Sequence, residues 1–219
     1  MNFSFAEFRH AVQSPRRYVE MAKRPKVPQE GGNPQRPLFL ACVESYFDSG
    51  RDPNAPFEEL DRRLRRAARR QPEAEGRDAN AVAVRLMLTR FLAMDDGEPD
   101  PSVVLPRSRA CAIGRHVVTL SPSLLYESAT SHYAMTRHLW TENDFSLSRP
   151  YSRLVAIGFL LHAEQNGNNR LGQVQFWHLR TSKAAAWRLS DLRPSIPSLV
   201  ALLDSIAVEL GGFDPGKAA

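Results

Sequence analysis

The sequence predicts an α/β protein: a helical N-terminal lobe over residues 1–96, then a small mixed β-sheet flanked by helices over residues 103–213, the two forming one compact unit. Three observations predict this. Apolar residues recur at helical spacing through roughly the first hundred positions. Past the acidic, turn-rich run Asp95-Asp96-Gly97-Glu98-Pro99-Asp100-Pro101 they give way to short stretches rich in β-branched and aromatic residues. The composition, 42% hydrophobic and 9% aromatic over 219 residues, is that of a chain that buries a core.

Ser4-Phe5-Ala6-Glu7 has the form of a capping box, in which serine and a glutamate three residues on satisfy each other's amides at a helix start. Phe5, Phe8 and Val12 then recur on one face. Ser14-Pro15 starts a second short helix carrying Tyr18, Val19 and Met21, since proline at the first helical position forfeits no hydrogen bond. Lys23 to Pro37, with four prolines and two glycines, reads as a loop. Leu38 to Phe47 reads as an apolar helix, and Pro56 to Arg70 as a helix with Phe57, Leu60, Leu64 and Ala68 on one stripe. Ala79 to Met94 is the next helix, with Val82, Leu86 and Phe91 as core candidates. The first hundred residues thus read as helix and loop only.

Val103 to Leu105, Ala110 to Leu120 and His132 to Trp140 then read as strands, and Tyr151 to Glu164 as a strongly apolar helix opened by Ser148-Arg149-Pro150. Gln173 to Arg180 and Ala185 to Leu189 read as a hairpin. Trp177 and Trp187 are expected to face each other across it, a pair worth about 0.2–1 kcal/mol. Pro197 to Leu210 is the last helix, stopped by Gly211-Gly212.

Charge points toward partners. Lys+Arg number 29 against 24 Asp+Glu, a net charge of +5, and all but four of the cations are arginine. A planar, permanently charged guanidinium suits phosphate. Asp61 to Arg70 places six arginines in nine positions, Arg62, Arg63, Arg65, Arg66, Arg69 and Arg70, around one helical stripe. No aromatic residue interleaves with them, so this stripe would grip a nucleic-acid backbone rather than read bases. Arg16 and Arg17, with Lys23, Arg24 and Lys26, form a second basic stretch. The alternative reading of the helix is a solvated face paired in part with Glu58, Glu59, Asp61 and Glu73 at helical spacing.

Other chemistry is less visible. Cys42 and Cys111 lie far apart, with no zinc or disulfide spacing, and are expected reduced in the core. None of the six histidines stands in a ligand spacing, and neither a Gly-x-Ser-x-Gly elbow nor a phosphate loop ending in Gly-Lys is present. No cofactor is therefore expected. The start of the chain carries Glu7 in its apolar stretch and no signal-like core, and no run reaches the roughly 18 apolar residues of a membrane span. A cytoplasmic location away from membranes is the expectation.

Ser14-Pro15-Arg16-Arg17-Tyr18, the helix Leu38 to Phe47, and the helix, hairpin and final helix from Arg149 to Phe213 together resemble the RecB-like branch of the PD-(D/E)XK nuclease superfamily. That resemblance implies a RecB-like core order and a site where an Asp on one strand and a Glu-x-Lys or Asp-x-Lys on the next hold a divalent metal. Here the motif is degenerate, because none of the lysines has a carboxylate two residues before it. The leading expectation is therefore a non-catalytic nucleic-acid-binding or assembly subunit, in DNA processing or anti-phage defence, with protein partners as well as nucleic acid. The alternative is an active nuclease with a displaced Mg or Mn site at Glu127, Glu142 and Asp144, and Arg137 or His138 in the lysine's role. A third expectation is a protein-interaction scaffold without nucleic acid.

Overall fold

The computed structural model describes residues 1–24, 35–70, 77–95, 101–104, 109–120, 124–128, 134–140, 149–166, 171–179 and 181–211, with 77–78, 101–104, 124–128, 134–140, 149 and 171 as backbone alone. The elements run β1 (Asn2–Phe3), α1 (Phe5–Gln13), α2 (Pro15–Ala22), α3 (Gln35–Asp48), α4 (Ala55–Arg70), α5 (Arg77–Met94), β2 (Pro101–Val104), β3 (Arg109–Ile113), β4 (His116–Leu120), β5 (Leu124–Ser128), β6 (Ala134–Trp140), α6 (Arg149–Gln165), β7 (Leu171–His178), β8 (Lys183–Arg188), α7 (Leu189–Leu192), a 3-10 turn (Arg193–Ser195) and α8 (Ile196–Glu209). The fold is mixed α/β, with small sheets flanked by helices.

The strands form two sheets, β1-β4-β3 and β2-β5-β6-β7-β8. β6 and β7 pair in parallel, joined through α6, and the other pairs of the larger sheet are antiparallel. This corrects the expectation of helix and loop alone in the first hundred residues, because β1 pairs in parallel with β4, Phe3 opposite Val118. Two residues are too few to show a period of two, and their partner lies far along the chain. Ala110 to Leu120 is likewise a hairpin rather than a single strand, and Leu124–Ser128 is a strand that the apolar pattern did not mark. The segments 25–34 and 96–100, read as loop and linker, lie outside the described residues.

Local chemistry explains several boundaries. The Ser4 capping box forms as expected: the Glu7 amide donates to Ser4 Oγ at 3.3 Å, and the Ser4 amide donates to Glu7 Oε2 at 2.9 Å. The β3–β4 hairpin turns on Gly114-Arg115, with Gly114 at φ +58 as the first central residue of a two-residue turn. A Cβ there would also stand 2.9 Å from Val200 Cγ1 of α8. Gly114→Ala is expected to lower stability by about 1–3 kcal/mol in denaturant titration, from positive-φ strain together with crowding. A loss below roughly 0.5 kcal/mol would contradict this account.

Two hydrophobic clusters meet the two faces of β7. The first joins α1, α2, the β1-β4-β3 sheet, α6 and α8, with Phe8, Val118, Leu120, Phe159 and Leu203 at its centre. α1 and α6 meet closely at Gly158, where a Cβ would lie 3.0 Å from the Phe8 ring. The second joins α3, α4 and α5 through Phe39, Val43, Leu60, Leu88 and Phe91. β7 and the residue after it contribute to both: Val174 and Phe176 enter the first, Trp177 and Leu179 the second. Gln173-Val174-Gln175-Phe176 alternates in the sequence, with Val174 and Phe176 as its buried members, and from Trp177 onward successive residues are buried on both faces.

Its register also corrects the tryptophan pairing. Trp177 stands opposite Ala184 and Trp187 opposite Val174. The two tryptophans are thus on opposite faces of the sheet, because residues 174 and 177 are an odd number of positions apart. On α5, Phe91 is buried as expected, but Val82 is 66% and Leu86 48% exposed. The helix is apolar nearly all round, so spacing alone does not select its buried face.

Candidate nucleic-acid interface

α4 is the element whose chemistry is most one-sided. At 3.6 residues per turn, Leu60, Leu64, Phe57 and Ala68 fall on one side of the helix and the six arginines on a contiguous arc of about 160° opposite. Leu60 is fully buried and Phe57 and Leu64 pack against the second cluster, so α3 and α5 hold this side. All six arginines are exposed. The sequence folds this way because apolar residues recur at three- and four-residue spacing and arginine fills the positions between.

Electrostatics divides the arginines into two groups. Glu59, one turn before them and buried, accepts from Arg63 Nε at 2.5 Å and from Arg62 Nε at 2.6 Å. Burial alone would push its carboxyl up; the hydrogen bonds and charges of Arg62 and Arg63 outweigh that and hold it below the ordinary glutamate value. Arg65, Arg66, Arg69 and Arg70 have no ion-pair partner among the described residues. Asp61, at the margin of the arc, pairs with Arg85 of α5, and Glu58 is exposed at the N-terminal end of the arc. The solvated-face alternative thus describes Arg62 and Arg63, while Glu73 lies outside the described residues.

Arg16 and Arg17 are exposed in the first turn of α2, a turn without acidic residues. α2 packs with the first cluster and α4 with the second. The structure therefore places the two basic stretches on separate parts of the fold.

The residues of the displaced-metal alternative are distributed differently. Glu127 is on β5, opposite Ser102 and Ala134 in register. Arg137 and His138 are further along β6, beside Gln175 and Phe176 of β7. Position 138 is four residues from position 134, roughly 13 Å along the strand. Glu142 and Asp144 lie outside the described residues. Among the described residues no group of three or more His, Cys, Asp or Glu side chains is placed to hold a metal ion.

Three buried histidines and two buried cysteines lie outside the arginine arc. His116 Nε2 lies 2.8 Å from Asp204 Oδ1, which Arg115 Nε also meets at 3.0 Å, tying the β3–β4 turn to α8. His178 Nδ1 is 3.0 Å from Thr181 Oγ1. Burial, then the Arg109 charge, lowers the pKa of His162. Cys42 and Cys111 are both free and buried, and burial pushes both thiols up to about 12. They are poor nucleophiles in that state.

These features define a mixed α/β protein with one strongly basic helical face. No family model and no curated protein matches the sequence. Among solved structures, a candidate exonuclease from Eubacterium rectale is similar over 97% of this chain and 83% of its own, at 12% sequence identity and a TM-score of 0.48. Among the described residues no helix is long and apolar enough to cross a membrane.

Proposed function

We propose that this chain is a non-catalytic nucleic-acid-binding or assembly subunit that grips phosphate backbone through the arginine face of α4. The observation that carries the reading is the arc of six exposed arginines, four of them without an ion-pair partner among the described residues. Guanidinium groups on a rigid rod meet several phosphates at once and release their counterions. A RecB-like ancestry, read from Ser14 to Tyr18 and from Arg149 to Phe213, and a place in DNA processing or anti-phage defence belong to the same proposal.

The test is fluorescence anisotropy with labelled DNA and RNA across a salt series, with magnesium and manganese present and the products run on a gel. Four neutralised phosphates give a slope of log affinity against log salt of about −3.6 on duplex DNA, or roughly 150-fold weakening over a fourfold rise in salt. The variant R65Q/R66Q/R69Q/R70Q is expected to lose most of that slope while keeping the wild-type melting transition. Unchanged binding by this variant would sink the reading. Metal-dependent cleavage would remove its non-catalytic part.

A further inference from the structure

Resting on the reading that α4 is a nucleic-acid surface, we propose that its ligand is double-helical DNA, held by two rows of arginine that face the phosphates of the two strands bordering one groove. The four arginines without ion-pair partners among the described residues form two pairs at i, i+4 spacing, Arg65 with Arg69 and Arg66 with Arg70. Each pair spans about 6 Å along the helix axis, close to two phosphate steps of one strand.

The pairs are rotated by about 100° from each other, which separates them by about 8 Å at the side-chain envelope of the helix. The flexible arginine stems carry the charges further apart still. A B-form major groove about 12 Å wide, walled by phosphates on both sides, fits such a double row. A lone strand presents one line of phosphates and satisfies one row. The deep, narrow major groove of A-form RNA does not admit a helix. Arg62 and Arg63 extend the two rows toward the N-terminus but are held by Glu59, so among the described residues the unpaired charge of the arc is concentrated in the last two turns of α4.

The experiment compares the full-length chain and two row variants, R65Q/R69Q and R66Q/R70Q, on a labelled DNA duplex, its separated strand and the RNA duplex of the same sequence, over a salt series. DNA duplex is expected to bind tightest. Each row variant is expected to bring its salt slope from about −3.6 to about −1.8, the two losing affinity to a similar degree.

Equal affinity for duplex and separated strand, tighter binding to the RNA duplex, or a loss confined to one row would overturn the double-row duplex. In each of those cases the quadruple variant separates the two readings. If it abolishes binding, α4 remains the nucleic-acid surface and only the duplex assignment fails. If it binds like wild type, or if none of the probes binds the wild-type chain, the underlying reading fails as well. Matching circular-dichroism melts of all variants exclude unfolding as the cause.

Discussion

Trp177→Ala is expected to destabilise the protein by about 3–5 kcal/mol, the range for deleting a large buried aromatic side chain. Trp177 is 5% exposed and contacts the Phe91 ring at a centroid separation of 6.0 Å. It and Leu179, the residue just past β7, enter the cluster of α3, α4 and α5 from the side of the sheet. The substitution therefore opens a cavity at the seam between the helical layer and β7, where neighbours on a strand cannot easily close it. Denaturant unfolding followed by tryptophan fluorescence and far-UV circular dichroism checks this. A loss below about 1 kcal/mol would mean that the helical layer is attached elsewhere.

Glu59→Gln is expected to act in opposite directions on stability and binding. The carboxylate holds Arg62 and Arg63 back from solvent partners, so its neutralisation frees two more guanidinium groups on the same arc. The salt slope on duplex DNA is then expected to steepen from about −3.6 toward −5.4, with tighter binding at low salt. Stability is expected to fall by about 1–2 kcal/mol, since both arginines are half exposed and their ion pairs are partly screened. Because the folded carboxyl titrates below its ordinary value, its contribution is present above the unfolded glutamate pKa and is lost as pH falls through the lowered folded one. The variant should accordingly lose less stability than wild type between neutral and acid pH. An unaltered salt slope in Glu59→Gln would show that Arg62 and Arg63 leave Glu59 on binding in any case, or that they never reach phosphate.

Elements that carry their own start signals and period were legible in the sequence. The Ser4 capping box, α4 with its apolar stripe, α6, the β7–β8 hairpin and α8 all stand within a few residues of where spacing and caps put them. What escaped depended on partners remote in sequence. β1 is a strand because β4 offers it a ladder, and Phe3 alone gives no alternation to read. The turn at Gly114-Arg115 was hidden inside an apolar run that continues on both sides. Val82 and Leu86 misled because an apolar helix declares no buried side, and the tryptophan pair because the register is offset by three positions, and any odd offset exchanges the faces of a strand. For the candidate site, the arginine face was legible as composition and spacing. The division between charges held by Glu59 and charges left open required the side-chain geometry.

The smaller sheet also has an exposed flank, since β3 is its outer strand. At Ala112 that flank is closed by an element of the chain itself. The Gln165 side chain, at the end of α6, accepts from the Ala112 amide and donates to the Ala112 carbonyl, both at 2.7 Å. A carboxamide bonded in this way imitates the peptide group of an adjoining strand. A second molecule approaching edge-on would have to displace it before zipping on, and the hairpin is thereby guarded against the open-ended stacking from which fibrils grow.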